Sequence, residues 1–217
     1  MSIGDAEIKT QERVIRFFKD PEILGYQYIG NLSDYQNKNI KEDRLRQYLR
    51  LKGYADKLID AAVMQLQQEA GNLSRGVYDA NKTVYSRLKY GIPVSESPEK
   101  PPVTVELIDE ANPLNNDFAI AEDVTVVEQQ EKRPDLVIYL NGIAVAVIEL
   151  KRSSISVSEG IRQNLTNQKD SFIRGFFTTM QFCMAGNESE GLRYGTLLTG
   201  EKFYMEWKDD GFKEHEE

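Results

Sequence analysis

One cysteine and one histidine are all the thiol and imidazole chemistry in this 217-residue chain. A lone Cys183 excludes an internal disulfide and agrees with a reducing compartment, so a cytoplasmic location is expected. His215 stands by itself in the charged tail KDDGFKEHEE. Neither a zinc site nor a Ser/His/Asp or Cys/His triad can be assembled from such a set. No G-x-x-x-x-G-K-[ST] loop and no G-x-G-x-x-G stretch occurs, so nothing points to ATP or dinucleotide binding by this chain. Long apolar runs are missing too. The opening MSIGDAEIKTQERVIRFF is too charged for a signal peptide or a membrane span. Carboxylate and lysine chemistry is what remains for catalysis.

A formal charge of −8 argues against a domain that grips nucleic acid unaided, although action within a more basic assembly stays open. The length suits one good-sized core. Helical spacing runs from Ile8 to Phe18 with Thr10 as a cap, Gly25 closes that unit, and YQYIGNL reads as a short strand. Two helices are expected between Lys41 and Glu69, broken at Gly53. Leu45 and Leu49 line the first, and Leu58, Ile59, Ala62, Val63 and Leu66 line the second. Arg44, Arg46, Arg50 and Lys52 alternate with acids and read as a solvated face rather than a DNA grip. Another helix covers about residues 79–88, and GIPVSESPEKPPV reads as a proline-rich loop.

Strand-like runs follow in VTVELID, DVTVVEQ, DLVIYL and IAVAVIEL. SVSEGIRQNLTNQKDSFI predicts a helix capped by Ser156 or Ser158, TTMQFCMAG a strand, and YGTLLTGEKFYMEW a terminal hairpin. The order of elements implies an α/β fold, with a mixed central β-sheet flanked by helices.

The stretch RPDLVIYLNGIAVAVIELKRS carries the chemistry. Asn141-Gly142 between two apolar runs is a strong hairpin signal. Period-two geometry puts Glu149 and Lys151 on one face of the second arm and Leu150 on the other. With a plain two-residue turn Asp135 would fall opposite Ile148, on the wrong face. A one-residue bulge or a longer turn would instead set Asp135 opposite Glu149, with Cβ atoms about 5 Å apart, and a bulge is expected here. Two carboxylates at that separation call for a cation between them. Oxygen donors with no soft ligand select a hard divalent ion, Mg²⁺ first, with the Leu150 carbonyl as a third ligand. Lys151 adds a fixed positive charge, a set suited to phosphodiester hydrolysis. A strand-end salt bridge between Glu149 and Lys151 is the plainer alternative.

Pro134-Asp135, thirteen intervening residues and Glu149-Leu150-Lys151 resemble the PD-(D/E)xK nuclease motif. The flanks TQERVIRFF, LIDEANPLNNDFAIAEDVTVV, SVSEGIRQNL and EGLRYGTLLTGEKFYMEW resemble, in order, the N-terminal endonuclease domain of the type I restriction enzyme R subunit. That resemblance implies a restriction-endonuclease-like core in which Asp135 and Glu149 bind the metal and Lys151 completes the catalytic set. It assigns Gln163 to the family's downstream Gln-x-x-x-Tyr motif, with Asn167 where the tyrosine would stand. Glu12 falls where related nucleases often carry another acid. Residues 1–217 are then a single endonuclease domain, an N-terminal part of a longer subunit whose ATP-driven translocase lies elsewhere. Double-stranded DNA, the modification and specificity subunits and that translocase are the implied partners, and no membrane is. A noncatalytic docking domain and a stand-alone repair or junction nuclease are the competing readings.

Overall fold

The strand-forming runs assemble into a seven-stranded mixed sheet in the computed structural model, which describes residues 3–97 and 99–208. His215 lies outside the described residues. Across the sheet the order is β1 (Gln27–Asn31), β4 (Phe118–Glu122), β7 (Leu136–Leu140), β8 (Ile143–Leu150), β9 (Phe182–Asn187), β10 (Gly191–Gly195) and β11 (Met205–Glu206). β1 runs parallel to β4 and β8 parallel to β9, and the other neighbours are antiparallel. Two small ribbons stand apart, β2 (Ile92–Val94) with β3 (Val103–Val105) and β5 (Val126–Val127) with β6 (Glu131–Lys132).

Alternation along the strands sorts the core into two faces. Leu136, Ile138, Ile148, Leu150 and Met184 point to one, where Ile15, Val14 and Phe18 of α1 (Ile3–Lys19) cover them. Val137, Tyr139, Val147 and Cys183 point to the other, against Val77 of α4 (Val77–Tyr90) and the 3₁₀ segment Arg174–Thr179 with Phe176 and Phe177. α5 (Val157–Asn167) packs on the same side, over Ala185 of β9. A second core joins α2 (Glu42–Leu51), α3 (Asp56–Gly71) and the rest of α4, and reaches the sheet at Ile143. Leu45, Leu49, Leu58, Ile59, Ala62, Val63 and Leu66 are all buried there, as their spacing predicts. Among the described residues no helix is long and apolar enough to cross a membrane.

Several elements differ from their sequence reading. Thr10 lies inside α1, buried, and its hydroxyl donates to Glu188 instead of capping the helix. FAIAE, with its two alanines, gave no strand signal, yet it is the strand between β1 and β7, where short side chains fit a site crowded on both faces. DVTVVEQ contributes only Val126–Val127, because Asp123 adopts a positive φ of 50° and the chain leaves the sheet after Glu122. The proline-rich segment is not all loop. Its ends pair as β2 and β3, burying Ile92 and Val105 against the helical core. The helix expected over 156–173 stops at Asn167, and the strand expected over 178–186 begins at Phe182. Arg44, Arg46, Arg50 and Lys52 each meet an acid, Asp117, Glu42 with Asp60, Asp56 and Asp109 in turn, so their charge is spent within the domain.

Asn141 and Gly142 both have positive φ, 51° and 81°, the mark of a two-residue type I′ turn. Asn141 is fully buried. Its amide donates to the Leu107 carbonyl at 2.8 Å and to Asn116 Oδ1 at 2.8 Å, and its own oxygen accepts from the Asp117 N–H at 2.7 Å. The turn therefore ties the hairpin to the segment that enters β4. Asn141→Ala would strand two buried backbone groups and put alanine, which tolerates a left-handed conformation less well than asparagine, at that φ, and should cost about 3–5 kcal/mol. Chemical denaturation measures it, and a loss below about 1 kcal/mol would show that the network contributes no more than an ordinary surface turn.

Candidate active site

The β7–β8 hairpin begins in simple two-residue register, Leu140 opposite Ile143 and Tyr139 opposite Ala144. It resumes as Ile138–Ala146, Val137–Val147 and Leu136–Ile148. Val145 is the extra residue, the bulge that the positions of the two acids call for. The backbone groups around it find partners on the side away from β7. Gln181 N–H donates to the Val145 carbonyl at 2.7 Å and Thr179 Oγ1 to the Ala144 carbonyl at 2.6 Å, both from the segment that enters β9. One further step of the shifted register sets Asp135 opposite Glu149.

Asp135 immediately precedes β7. Pro134 before it has no N–H to donate, and its carbonyl accepts the Val124 N–H at 3.0 Å. The Asp135 carboxylate accepts the Leu150 N–H at Oδ2, 2.7 Å away, which joins the end of one arm to the start of the other. Glu149 is fully buried and lies opposite Ala185 of β9. Its Oε2 accepts from Gln163 Nε2 at 2.6 Å. The Leu150 side chain goes to the α1 face, as alternation requires, while its carbonyl accepts from Lys151 Nζ at 3.1 Å. Lys151 N–H donates to the Gly186 carbonyl at 2.9 Å, carrying the β8–β9 pairing one residue beyond the strand.

Helix α5 holds the other wall. Ser156 caps it, accepting from the Ser158 N–H at 3.3 Å. Glu190 accepts the Val157 N–H at 2.9 Å, and that bond, with the Asn187 amide, holds the Glu190 carboxyl below the usual carboxylate range. Inside the helix, Gly160 permits a close approach. A Cβ there would lie 2.9 Å from Ala185 Cβ and 3.5 Å from Glu149 Cβ. Gln163, three residues on and on the same side of the helix, thereby reaches Glu149. A glycine inside a helix costs about 1 kcal/mol relative to alanine, so its presence in SEGIRQNL was a readable sign of tight packing.

The structure thus brings Asp135, Glu149, Leu150, Lys151 and Gln163 together. Asn167, the last residue of α5, is buried, and its carbonyl accepts the Ile173 N–H at 3.2 Å. Glu12 is exposed on α1, the helix on the opposite face of the sheet from α5. A cleft of about 400 Å³ is lined by Lys132, Lys151, Gln163, Thr166 and Asn167, and the Gln163 bond links it to Glu149. Arg162 and Glu159 edge it as an ion pair at 2.8 Å, and Arg162 also binds Glu201 at 2.9 Å, which lowers the Glu201 carboxyl. Lys132 had no part in the motif reading, although it stands three residues before Asp135.

Among the described residues no group of three or more His, Cys, Asp or Glu side chains is arranged to hold a metal ion. A cation here would rest on two carboxylates and the Leu150 carbonyl. That donor set is all oxygen, with no thiolate or imidazole, and fits a hard divalent ion.

A family model described as the type I restriction enzyme R protein N terminus matches residues 7–203. A relative named putative type I restriction enzyme MjaIXP endonuclease subunit, from Methanocaldococcus jannaschii, is 33% identical over 97 residues, 41% of this chain and 9% of that protein. The type I restriction enzyme SsaAORF53P endonuclease subunit of Staphylococcus saprophyticus is 29% identical over 112 residues, 49% of this chain and 12% of its own length. The matched stretches span only about a tenth of these relatives. With residues 7–203 of its 217 matched, the chain belongs to the family of the type I restriction enzyme R protein N terminus.

Proposed function

We propose that this chain is the nuclease part of a type I restriction enzyme R subunit, built on a PD-(D/E)xK core, and that it hydrolyses phosphodiester bonds of double-stranded DNA with Mg²⁺. The bulge at Val145 carries this reading, since it sets an acid before one strand opposite an acid at the end of the next. Asp135, Glu149 and the Leu150 carbonyl would hold the cation. When bound, Mg²⁺ supplies Lewis-acid stabilisation of the phosphoryl oxygen and a more acidic water. The chain's own groups fix the geometry. Leu150 N–H and Gln163 Nε2 each hold one oxygen of a carboxylate and so set the planes of Asp135 and Glu149. Lys151 places an ammonium at the mouth of the same cleft, where negative charge develops on the attacked phosphate. In the whole subunit an ATP-driven translocase, and with it modification and specificity subunits, would deliver the DNA in the cytoplasm.

The isosteric changes Asp135→Asn and Glu149→Gln should each abolish Mg²⁺-dependent plasmid cleavage by a complex containing this domain. Melting in EDTA should stay within about 1 kcal/mol of the parent, because each change relieves like-charge repulsion while keeping the shape. Cleavage at near-parental rate by either variant would sink the assignment.

Gln163→Ala should lower cleavage about 10- to 100-fold, less than either acid change, since it removes a hydrogen bond to Glu149 and no ligand. Its effect should shrink at saturating Mg²⁺. An unchanged Mg²⁺ dependence would show that Gln163 does not position Glu149.

Lys151→Arg separates catalysis from a strand-end salt bridge. Charge is kept, so a salt bridge would survive, whereas a compact ammonium at one point is not reproduced by a planar guanidinium. A loss of about 10²–10³-fold in rate, with metal affinity unchanged, is expected. Near-parental cleavage would return Lys151 to a structural role.

A further inference from the structure

Lys132 lies outside the motif yet lines the same cleft as Lys151. Its ammonium sits 4.9 Å over the Phe172 ring, so the charge rests on an aromatic face rather than against a carboxylate. The other cations near the site are differently engaged. Arg162 is held by Glu159 and Glu201, and Lys151 Nζ by the Leu150 carbonyl. The platform beneath Lys132 is itself fixed. Gln129 N–H donates to the Phe172 carbonyl at 3.2 Å, and Phe172 N–H donates to the Lys169 carbonyl at 2.9 Å. These bonds tie the β5–β6 ribbon to the turn after α5. Lys132 Cα pairs with Val126 in that ribbon, so the backbone beneath the side chain is paired as well. The cleft therefore has a preset positive charge contributed by the β5–β6 ribbon, in the same lining as Lys151 and Gln163. Polar groups of α5, Gln163 and Thr166, line it too.

We propose that Lys132 is a positioning residue that grips a backbone phosphate next to the scissile one and so sets the register of the DNA strand in the cleft. The proposal rests on the nuclease reading above. A strand entering a site with two carboxylates is repelled by them, and a cation held on an aromatic ring offsets that repulsion without neutralising the acids. A phosphate contact of this kind acts on binding and on the salt dependence of binding, and leaves the chemical step nearly untouched.

Lys132→Gln and Lys89→Gln make a matched pair for the test, because Lys89 also sits over an aromatic ring, that of Tyr90 at 5.6 Å, on a different element. Binding of the chain to a fluorescent duplex would be followed by anisotropy as a function of salt in Ca²⁺, beside Mg²⁺-dependent cleavage by the assembled enzyme. Lys132→Gln should weaken binding several-fold, reduce the salt slope by about one and raise KM with kcat within about threefold. Lys89→Gln should match the parent. Phe172→Leu, which keeps the lysine and removes its platform, should give a smaller loss in the same direction. Equal binding by Lys132→Gln and Lys89→Gln, or a fall confined to kcat, would overturn the proposal, as would the absence of salt-dependent binding by the parent chain. Failure of the nuclease reading would look different: the parent enzyme would not cut, whatever Lys132 does to binding.

Discussion

Val145 gives the second arm of the central hairpin one residue more than the first, and the placement of the acids follows from that single insertion. Without it, Asp135 would face Ile148 and lie on the α1 side of the sheet, away from Glu149. With it, Asp135, Glu149 and Lys151 share the face on which α5 packs. The insertion is stable because its carbonyl neighbourhood is served by Thr179 and Gln181, which arrive just before β9 begins. β9 pairs with β8 only from Ala146 onward, leaving room for the bulge to turn its groups outward. Topology and site geometry are thus one decision: the parallel strand that follows α5 starts late enough to satisfy the bulge.

The second constraint is how closely α5 lies on the sheet. Glu149 is fully buried, and taking a carboxylate out of water costs several kcal/mol even after relaxation. The Gln163 amide offsets part of that, a hydrogen bond to a charged acceptor contributing about 1.5–3 kcal/mol. It can do so only because Gly160 lets the helix axis approach Ala185 and Glu149. The apolar core under the hairpin, from Val137 and Val147 to Phe176 and Phe177, supplies the stability that such a site consumes. A helix residue with poor propensity is therefore retained for geometry, and the surrounding sheet bears the cost.

Sequence patterns made the hairpin that carries the candidate residues legible. Apolar runs broken by Asn-Gly marked the hairpin, and the need to bring two acids to one face called for a bulge or a longer turn, of which the structure has the bulge. The helices of the second core were readable because their leucines recur at helical spacing. What stayed hidden was set by partners rather than by local pattern. FAIAE is a central strand whose two alanines carry little β signal, and only its neighbours on both sides define it. VTVELID and DVTVVEQ have strong strand composition, yet their chains leave the main sheet and form two small ribbons. Thr10 looked like a cap because helix ends are marked by local chemistry, but the helix runs on past it and the hydroxyl is used by Glu188. The contact of Gln163 with Glu149 could not be read from residue type alone, since an amide on a helix is most often solvated.

The same accounting explains how an acidic chain fits the proposed role. Its arginines are largely consumed within the domain: Arg44 with Asp117, Arg46 with Glu42 and Asp60, Arg87 with Glu69, Arg162 with Glu159 and Glu201, Arg193 with Glu206. Cations paired internally release few counterions on meeting DNA, so they contribute little to the electrostatic affinity that dominates such contacts. On the proposed reading, a nuclease part made this way is a poor collector of DNA by itself and works on strands delivered to it. Weak intrinsic grip then protects against indiscriminate cutting, because the rate depends on a local DNA concentration that other parts of the assembly raise. On that reading, control lies in the delivery of DNA to the hairpin acids and Lys151.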